Sequence, residues 1–360
     1  MHRGSTDLPP STSNHRAPVI ADRLVDRHHV EDVIAAVAAH RGGYAFRSDL
    51  LDSGLTDRDI RLAVRHGILR KLRHGTYAPV ALLAGLSPER QHLLMAFSLI
   101  DKLGPGVALS HHTAAIAHVG TSCGIDLETV HLTRLDGRGS RTEAGVNFHV
   151  GSVVPDADLC TVDGRLAVVP SRAVVESCSL STVESGMVTV SFALREKTCT
   201  EAELTERLKR HERWPGMLNV RLSLAKAEPR CESVGEVRSM FMFALTNVPK
   251  PEPQFEIVRG GFVIARSDFG WISCRHVGEF DGLIKYGRLN PYSGNDIANV
   301  LVDEKRREDD IREQAFGMSR WVWSDLHPRS RQNTGARILA GIERSRRVYA
   351  RGAVHIPLAR

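Results

Sequence analysis

Four acids and one lysine in the last third of the chain have the types and spacing that phosphodiester chemistry uses. "HVGEFDGLIKYGR" starts at His276 and holds Glu279, Asp281 and Lys285. It reads as a strand, so Glu279 and Asp281, two residues apart, share a face. Asp268 interrupts the apolar run "FVIARSDFGWI", and a buried carboxylate needs a partner or a metal. Glu236 lies on the preceding helix, one turn after Glu232. A hard divalent cation takes oxygen ligands from several elements. It can activate water and neutralise phosphate charge, while a nearby lysine stabilises the transition state. This assigns Glu236, Asp268, Glu279, Asp281 and Lys285 as the catalytic set, with Glu236, Asp268 and Glu279 as ligands of Mg2+ or Mn2+. The competing reading of the Glu279–Asp281 pair is an edge strand charged against aggregation.

The elements that must position these groups follow from the pattern. "ESVGEVRSMFMFALTN" is a helix, "PKPEP" breaks the chain, and "QFEIVRGGFVIARSDFGW" and "CRHVGEFDG" are strands with glycine-containing turns. "DEKRREDDIREQAFG" is a charged helix and "SRWVWS" a closing strand. The order is that of one compact α/β module over 229–328, followed by a basic helical tail over 329–360.

At the other end, residues 28–82 read as three short helices and a hairpin, the order of a winged helix-turn-helix. Thr56 fits the N-cap of the third helix, Asp59 its N3 acid, and Leu55 with Ile60 a hydrophobic staple. Ile60, Ala63 and Val64 form its apolar face; Arg58, Arg61 and Arg65 form a basic one. Arg70, Lys71 and Arg73 follow in the hairpin. A basic recognition helix suits the major groove and a basic wing suits the backbone, so these six residues are the expected contacts to double-stranded DNA. The competing reading is a solvated arginine face.

Residues 83–228 read as a mixed α/β connecting region without a nameable catalytic motif; His111 and His112 within it read as structural. The fold class expected is therefore α+β multidomain. The net charge of +6 permits a polyanionic partner without requiring one. Six scattered cysteines lack a C-x-x-C pair, so neither a zinc site nor a disulfide framework is expected. No apolar run reaches the ~18 residues that span a membrane. Residues 1–27 lack the apolar core of a signal peptide and read as a disordered tail. The expected compartment is the cytoplasm, and the oligomeric state, a homodimer included, is left open.

Two resemblances extend these readings. The run "ESVGEVRSMFMFA", "PEPQFEIV", "ARSDFGW", "VGEFDGLIKYGR", "DEKRREDDIRE" and "RWVW" resembles the restriction-endonuclease-like superfamily, in its very-short-patch-repair-like branch. That resemblance implies an α/β/α domain with a P-D … (D/E)-x-K theme, matched by Glu236, Asp268, Glu279 and Asp281–Gly282. The chain departs from it where the theme's lysine should stand, since Asp281 holds that place, and Lys285 would serve as a migrated lysine. Residues 30–80 resemble the winged-helix domain of AbiEi-type antitoxins through Gly43, Asp49, Leu50, Gly54, Ile60, Gly67, Leu69, Arg70, Gly75 and Tyr77. That resemblance implies DNA binding and a cognate toxin partner. Two functions stay open: a DNA-binding protein with a metal-dependent endonuclease, in defence, toxin–antitoxin or repair, and a non-catalytic antitoxin-like repressor with a degenerate nuclease fold.

Overall fold

The computed structural model describes residues 21–282 and 311–350. Lys285, most of the expected charged helix, including 304–309, the expected disordered tail up to residue 20 and the last ten residues lie outside the described residues. The chain divides into two compact units after Ser98, and the architecture is mixed α and β throughout.

In the first unit, α1 (Ala21–His40) leads to β1 (Ala45–Phe46), α2 (Arg47–Asp52), α3 (Asp57–Arg65), β2 (Leu69–Arg73), β3 (Thr76–Pro79) and α4 (Val80–Ala84). The strands form a small antiparallel sheet in the order β1-β3-β2. Its core is Ile34, Ala45, Leu50, Leu55, Ile60, Ala63 and Leu69. Gly43, at φ +122°, faces the Leu82 and Leu94 side chains so closely that a Cβ would overlap them. Helix α5 (Pro88–Leu103) carries the chain into the second unit.

The described residues of the second unit form two sheets. The first contains β4 (Val107–Leu109), β5 (Val130–Arg134), β6 (Arg141–Glu143), β7 (Val146–His149), β8 (Leu159–Val162) and β9 (Arg165–Val168). Their order is β6-β7-β5-β4-β9-β8, with parallel pairing at β4–β9 and β5–β7. Helix α6 (His111–Val119) follows β4, and the short α7 (Pro155–Asp158) precedes β8. Then come α8 (Pro170–Leu180), α9 (Val183–Arg195), α10 (Glu201–Arg210) and α11 (Met217–Lys226). Helix α12 (Val234–Leu245) opens the second sheet, β10 (Glu252–Arg259), β11 (Phe262–Trp271), β12 (His276–Asp281) and β13 (Gly317–Val322), which α13 (Arg331–Tyr349) closes. The four strands stand in sequence order, and β12–β13 is the parallel pair.

The sequence places a domain boundary at 228/229, where the structure has a continuous core. Met187 and Val188 of α9 pack in one cluster with Val237, Met240 and Phe243 of α12 and with Phe269, Trp271 and Trp321 of the sheet. Glu184 of α9 ties the two parts further. It accepts from Arg238 Nε at 2.7 Å and from Arg331 Nη2 at 2.6 Å.

Two features hold the second sheet in register. Gly235 lies against the Phe280 ring, where an added Cβ would sit 1.9 Å from Cε1, so α12 approaches β12 as closely as a glycine permits. His276, 1 % exposed, starts β12 between Ser345 Oγ on Nδ1 (2.8 Å) and Ser319 Oγ on Nε2 (2.9 Å). Burial, then the charge of Arg344, depresses its pKa to about 4, and burial brings His149 to about 4 as well.

Gly235→Ala is expected to lose about 1–3 kcal/mol by overpacking, read as a lowered urea midpoint at unchanged m-value. The histidines set a pH dependence. A histidine depressed in the fold binds more protons when unfolded, so its contribution is complete above an unfolded value of about 6.5 and is lost as pH falls toward about 4. The melting temperature should drop between pH 7 and 5, and His276→Gln should flatten that slope relative to its own value at pH 7.

Candidate nucleic-acid interface and acidic site

The basic surface of the first unit is built from its caps upward. Thr56 caps α3: Asp59 N donates to Thr56 Oγ1 at 3.3 Å, and Thr56 N donates back to Asp59 Oδ2 at 2.9 Å. Leu55 and Ile60 are both buried. Asp49 anchors the preceding turn, accepting from Arg41 and from Phe46 N; the Arg41 hydrogen bond, foremost, holds its carboxyl below the usual range. Arg58, Arg61 and Arg65 are exposed, and at about 100° per residue they fall within one arc of the helix opposite Ile60 and Ala63. Val64, expected on the apolar face, is 37 % exposed, beside Leu62 at 39 %. The helix is only nine residues long, and its buried stripe needs no more than Ile60 and Ala63. In the hairpin Arg70 and Lys71 are exposed and Arg73 is half-buried; Arg70 Nη2 donates to Gln91 Oε1 at 3.1 Å.

The acids of the second unit meet where β11 leaves β12. The two strands pair at Phe269↔Gly278, Gly270↔Val277 and Trp271↔His276, and the ladder stops there. Beyond it, the Asp268 carboxylate replaces the strand: Phe280 N donates to Asp268 Oδ2 at 2.7 Å. Strict alternation would set Ala265, Ser267, Phe269 and Trp271 on one face. Instead Phe269 and Trp271 pack toward Phe243 and Trp321, while Ala265 packs with Val277, Ile311 and Phe316. Ser267 Oγ donates to Glu279 Oε1 at 3.3 Å. The strand therefore turns over at Asp268.

Like Asp268, Glu279 and Glu236 are engaged by protein donors. Glu279, buried, accepts from Ser267 and, through Oε2, from Arg320 Nε at 3.1 Å. Arg320 stands opposite it on β13. Glu236 accepts from Glu232 N (2.8 Å), Ser233 Oγ (2.7 Å) and Gln254 Nε2 (2.7 Å). Gln254 holds a φ of +54°, a conformation uncommon for a residue with a side chain. Asp281 is half-buried opposite Val322. Glu236 and Asp268 both act electrostatically on the thiol of Cys231, whose pKa is raised mainly by burial.

The expected triad of Glu236, Asp268 and Glu279 is thus not assembled in this arrangement. Among the described residues no three His, Cys, Asp or Glu side chains stand together as a metal-binding group. Glu236 belongs to the N-terminus of α12, which packs on the Phe280 face, whereas Glu279 points to the other face with Arg320. The oxygen donors suit Mg2+ or Mn2+ in kind. Sequence reasoning missed Gln254, Ser267 and Arg320. Arg320 sits beside the apolar Trp321, and only the parallel register with β12 pairs it with Glu279.

At the start of α6, beside the first sheet, His111 and His112 are packed. His112 Nδ1 lies 2.8 Å from Ser177 Oγ, and the His111 ring stacks on His149 at 3.6 Å. Burial, first, and the neighbouring histidines push the His111 pKa well below its ordinary value. All six cysteines are free thiols, and no described helix is long and apolar enough to cross a membrane.

No family model matches the chain. It is similar to two proteins of Mycobacterium tuberculosis named as uncharacterized, MT2308 (strain CDC 1551 / Oshkosh) and Rv2248 (strain ATCC 25618 / H37Rv). Each is 26 % identical over 271 residues, covering 71 % of this chain and 93 % of the relative. The crystal structure of the RV2827C protein from Mycobacterium tuberculosis aligns with a TM-score of 0.36 at 16 % identity, over 58 % of this chain and 78 % of that one; a likeness this distant carries no argument.

Asp268→Ala strips the acceptor from Phe280 N–H and should cost about 1–3 kcal/mol, measurable by urea unfolding. Asp268→Asn keeps an oxygen there and should stay within about 1 kcal/mol of the parent. Equal losses in both variants would mean that the charge, not the hydrogen bond, is what the fold uses.

Proposed function

We propose that this chain is a duplex-DNA-binding protein of the AbiEi-like regulator type, in which a restriction-endonuclease-like module serves as a binding scaffold. The observation that carries the reading is the outward arc of Arg58, Arg61 and Arg65 on a helix capped by Thr56, followed by a hairpin exposing Arg70 and Lys71. The helix order and the small sheet support a winged helix-turn-helix docked in the major groove, where arginine reads guanine and phosphate. A cognate toxin is the protein partner this reading implies.

A second reading, metal-assisted phosphodiester hydrolysis, is favoured by one observation: Asp268 and Glu279 lie at the same strand divergence, each bonded to the other's strand. A plasmid-nicking assay with and without Mg2+ or Mn2+ separates the two. The proposed binding scaffold gives no cleavage with either ion; cleavage that disappears in Asp268→Ala would establish the nuclease.

Replacing Arg58, Arg61 and Arg65 together by Ala should weaken duplex binding by about tenfold or more. The log–log salt slope should fall by about one unit for each phosphate that the helix no longer neutralises. An affinity and slope equal to the parent's, in fluorescence anisotropy across a salt series, would remove the helix from the interface.

A further inference from the structure

The N-terminus of α8 opens into a cleft of about 530 Å³ that neither functional reading uses. Its walls come from α7, the start of α8 and the stretch from Thr198 through α10. Helix α8 begins without a side-chain cap. Its N-cap is Val169, Pro170 has no N–H, and the first bond of the helix runs from Ala173 N to Val169 O at 3.0 Å. The N–H groups of Ser171 and Arg172 stand ahead of that bond, and such orphan donors need an acceptor. Ser171 lines the cleft and is 8 % exposed. Its hydroxyl has no hydrogen-bond partner among the described residues. Among those residues the one fully enclosed side-chain oxygen without a partner is Thr133 Oγ1, so the Ser171 hydroxyl is open to the cleft. Thr198, half-buried on the same cleft, also has a hydroxyl without a partner among the described residues.

The charges around the cleft leave one guanidinium in excess. Arg172, Arg207 and Arg210 gather on two carboxylates. Asp158 meets Arg172 Nη1 at 3.0 Å and also Arg207 Nη1, and Glu176 meets Arg172 Nε at 2.7 Å. Arg210 stands 3.6 Å from Asp158, beyond hydrogen-bond length, with its side chain 49 % exposed on the cleft. It donates no hydrogen bond among the described residues. Of the acids on the cleft, Glu203 is turned back on its own helix, accepting from Thr200 N at 2.7 Å and Thr200 Oγ1 at 2.9 Å. Glu206 is exposed on the rim, shared with a second depression beside Lys209.

We propose that this cleft binds a small organic phosphate, its phosphate group seated on the α8 N-terminus between Ser171 and Arg210. It is independent of the DNA-binding reading, which uses the first unit. A helix N-terminus presents N–H groups and the positive end of its dipole to an anion. The Ser171 hydroxyl adds a donor, and the planar fork of Arg210 matches phosphate oxygens. The cleft is larger than a bare phosphate ion and falls within the range of about 300–1,000 Å³ typical of small-molecule sites. Its apolar walls, Val169, Pro170 and Ala202, suit the body of an organic ligand.

The test titrates the full chain with inorganic phosphate and with ribose 5-phosphate at constant ionic strength, read by phosphorus NMR. The parent should bind both saturably, the ester at least as tightly as the ion. An ester that binds more weakly than the ion would restrict the site to free phosphate and overturn the organic ligand. Arg210→Gln changes an exposed side chain and should weaken both by about tenfold, the worth of one hydrogen bond to a charged group. Ser171→Asp places a carboxylate where the phosphate would sit. It should abolish binding without lowering the melting temperature, because an acid in the first turn satisfies the same helix end. If Ser171→Asp does lower the melting temperature, Arg210→Gln alone decides. Binding unchanged in Arg210→Gln, or no saturable binding of either probe by the parent, would overturn the site.

Discussion

The second unit depends on how Trp321 is buried. Its ring, 1 % exposed, lies between α12 and the sheet, edge-on to Phe243 at 5.5 Å and stacked with Phe269 at 5.5 Å, while Phe243 also meets Trp271 at 5.6 Å. Its indole N–H finds Ser239 Oγ at 2.7 Å, so the largest buried side chain leaves no unpaired donor. Every group of the acidic site is a chain neighbour of this cluster. Asp268 precedes Phe269, Glu279 follows Gly278, and Arg320 precedes Trp321. A Cβ at Gly278 would lie 2.6 Å from the Trp321 ring. Packing on one face thereby sets which side chains appear on the other.

That coupling explains how acids spaced like a metal site in the sequence come to be hydrogen-bonded by protein groups in the structure. Burying carboxylates costs free energy unless donors or cations meet them. Here the donors are protein groups: a backbone N–H for Asp268, Ser267 and Arg320 for Glu279, and a helix N-terminus with Gln254 for Glu236. The helix N-terminus suits Glu236 electrostatically as well.

The same logic runs through the middle of the chain. Arg172 pairs with Asp158 and Glu176, both enclosed, and Arg207 meets Asp158 from α10. Glu184 is held by two arginines from the following elements. Arginine-rich composition here serves interior charge pairs as much as the surface, so the count of arginines alone says little about nucleic acid. What singles out Arg58, Arg61 and Arg65 is their common outward arc on a short capped helix.

Much of the local structure was legible in the sequence, because caps, turns and periodicity are local. Thr56 and Asp59 open α3 where their spacing says they should, Gly75 turns the hairpin, and Gly260 and Gly261 turn β10 into β11 with positive φ. The acids and the arginine arc were visible as residue types at given spacings. What only the tertiary structure decided was who meets whom. The core shared across residue 228, the turnover of β11 at Asp268, the strained Gln254 beside Glu236 and the parallel register that sets Arg320 on Glu279 all join residues far apart in the chain. Their contact energies depend on burial and strand register, which no local pattern encodes.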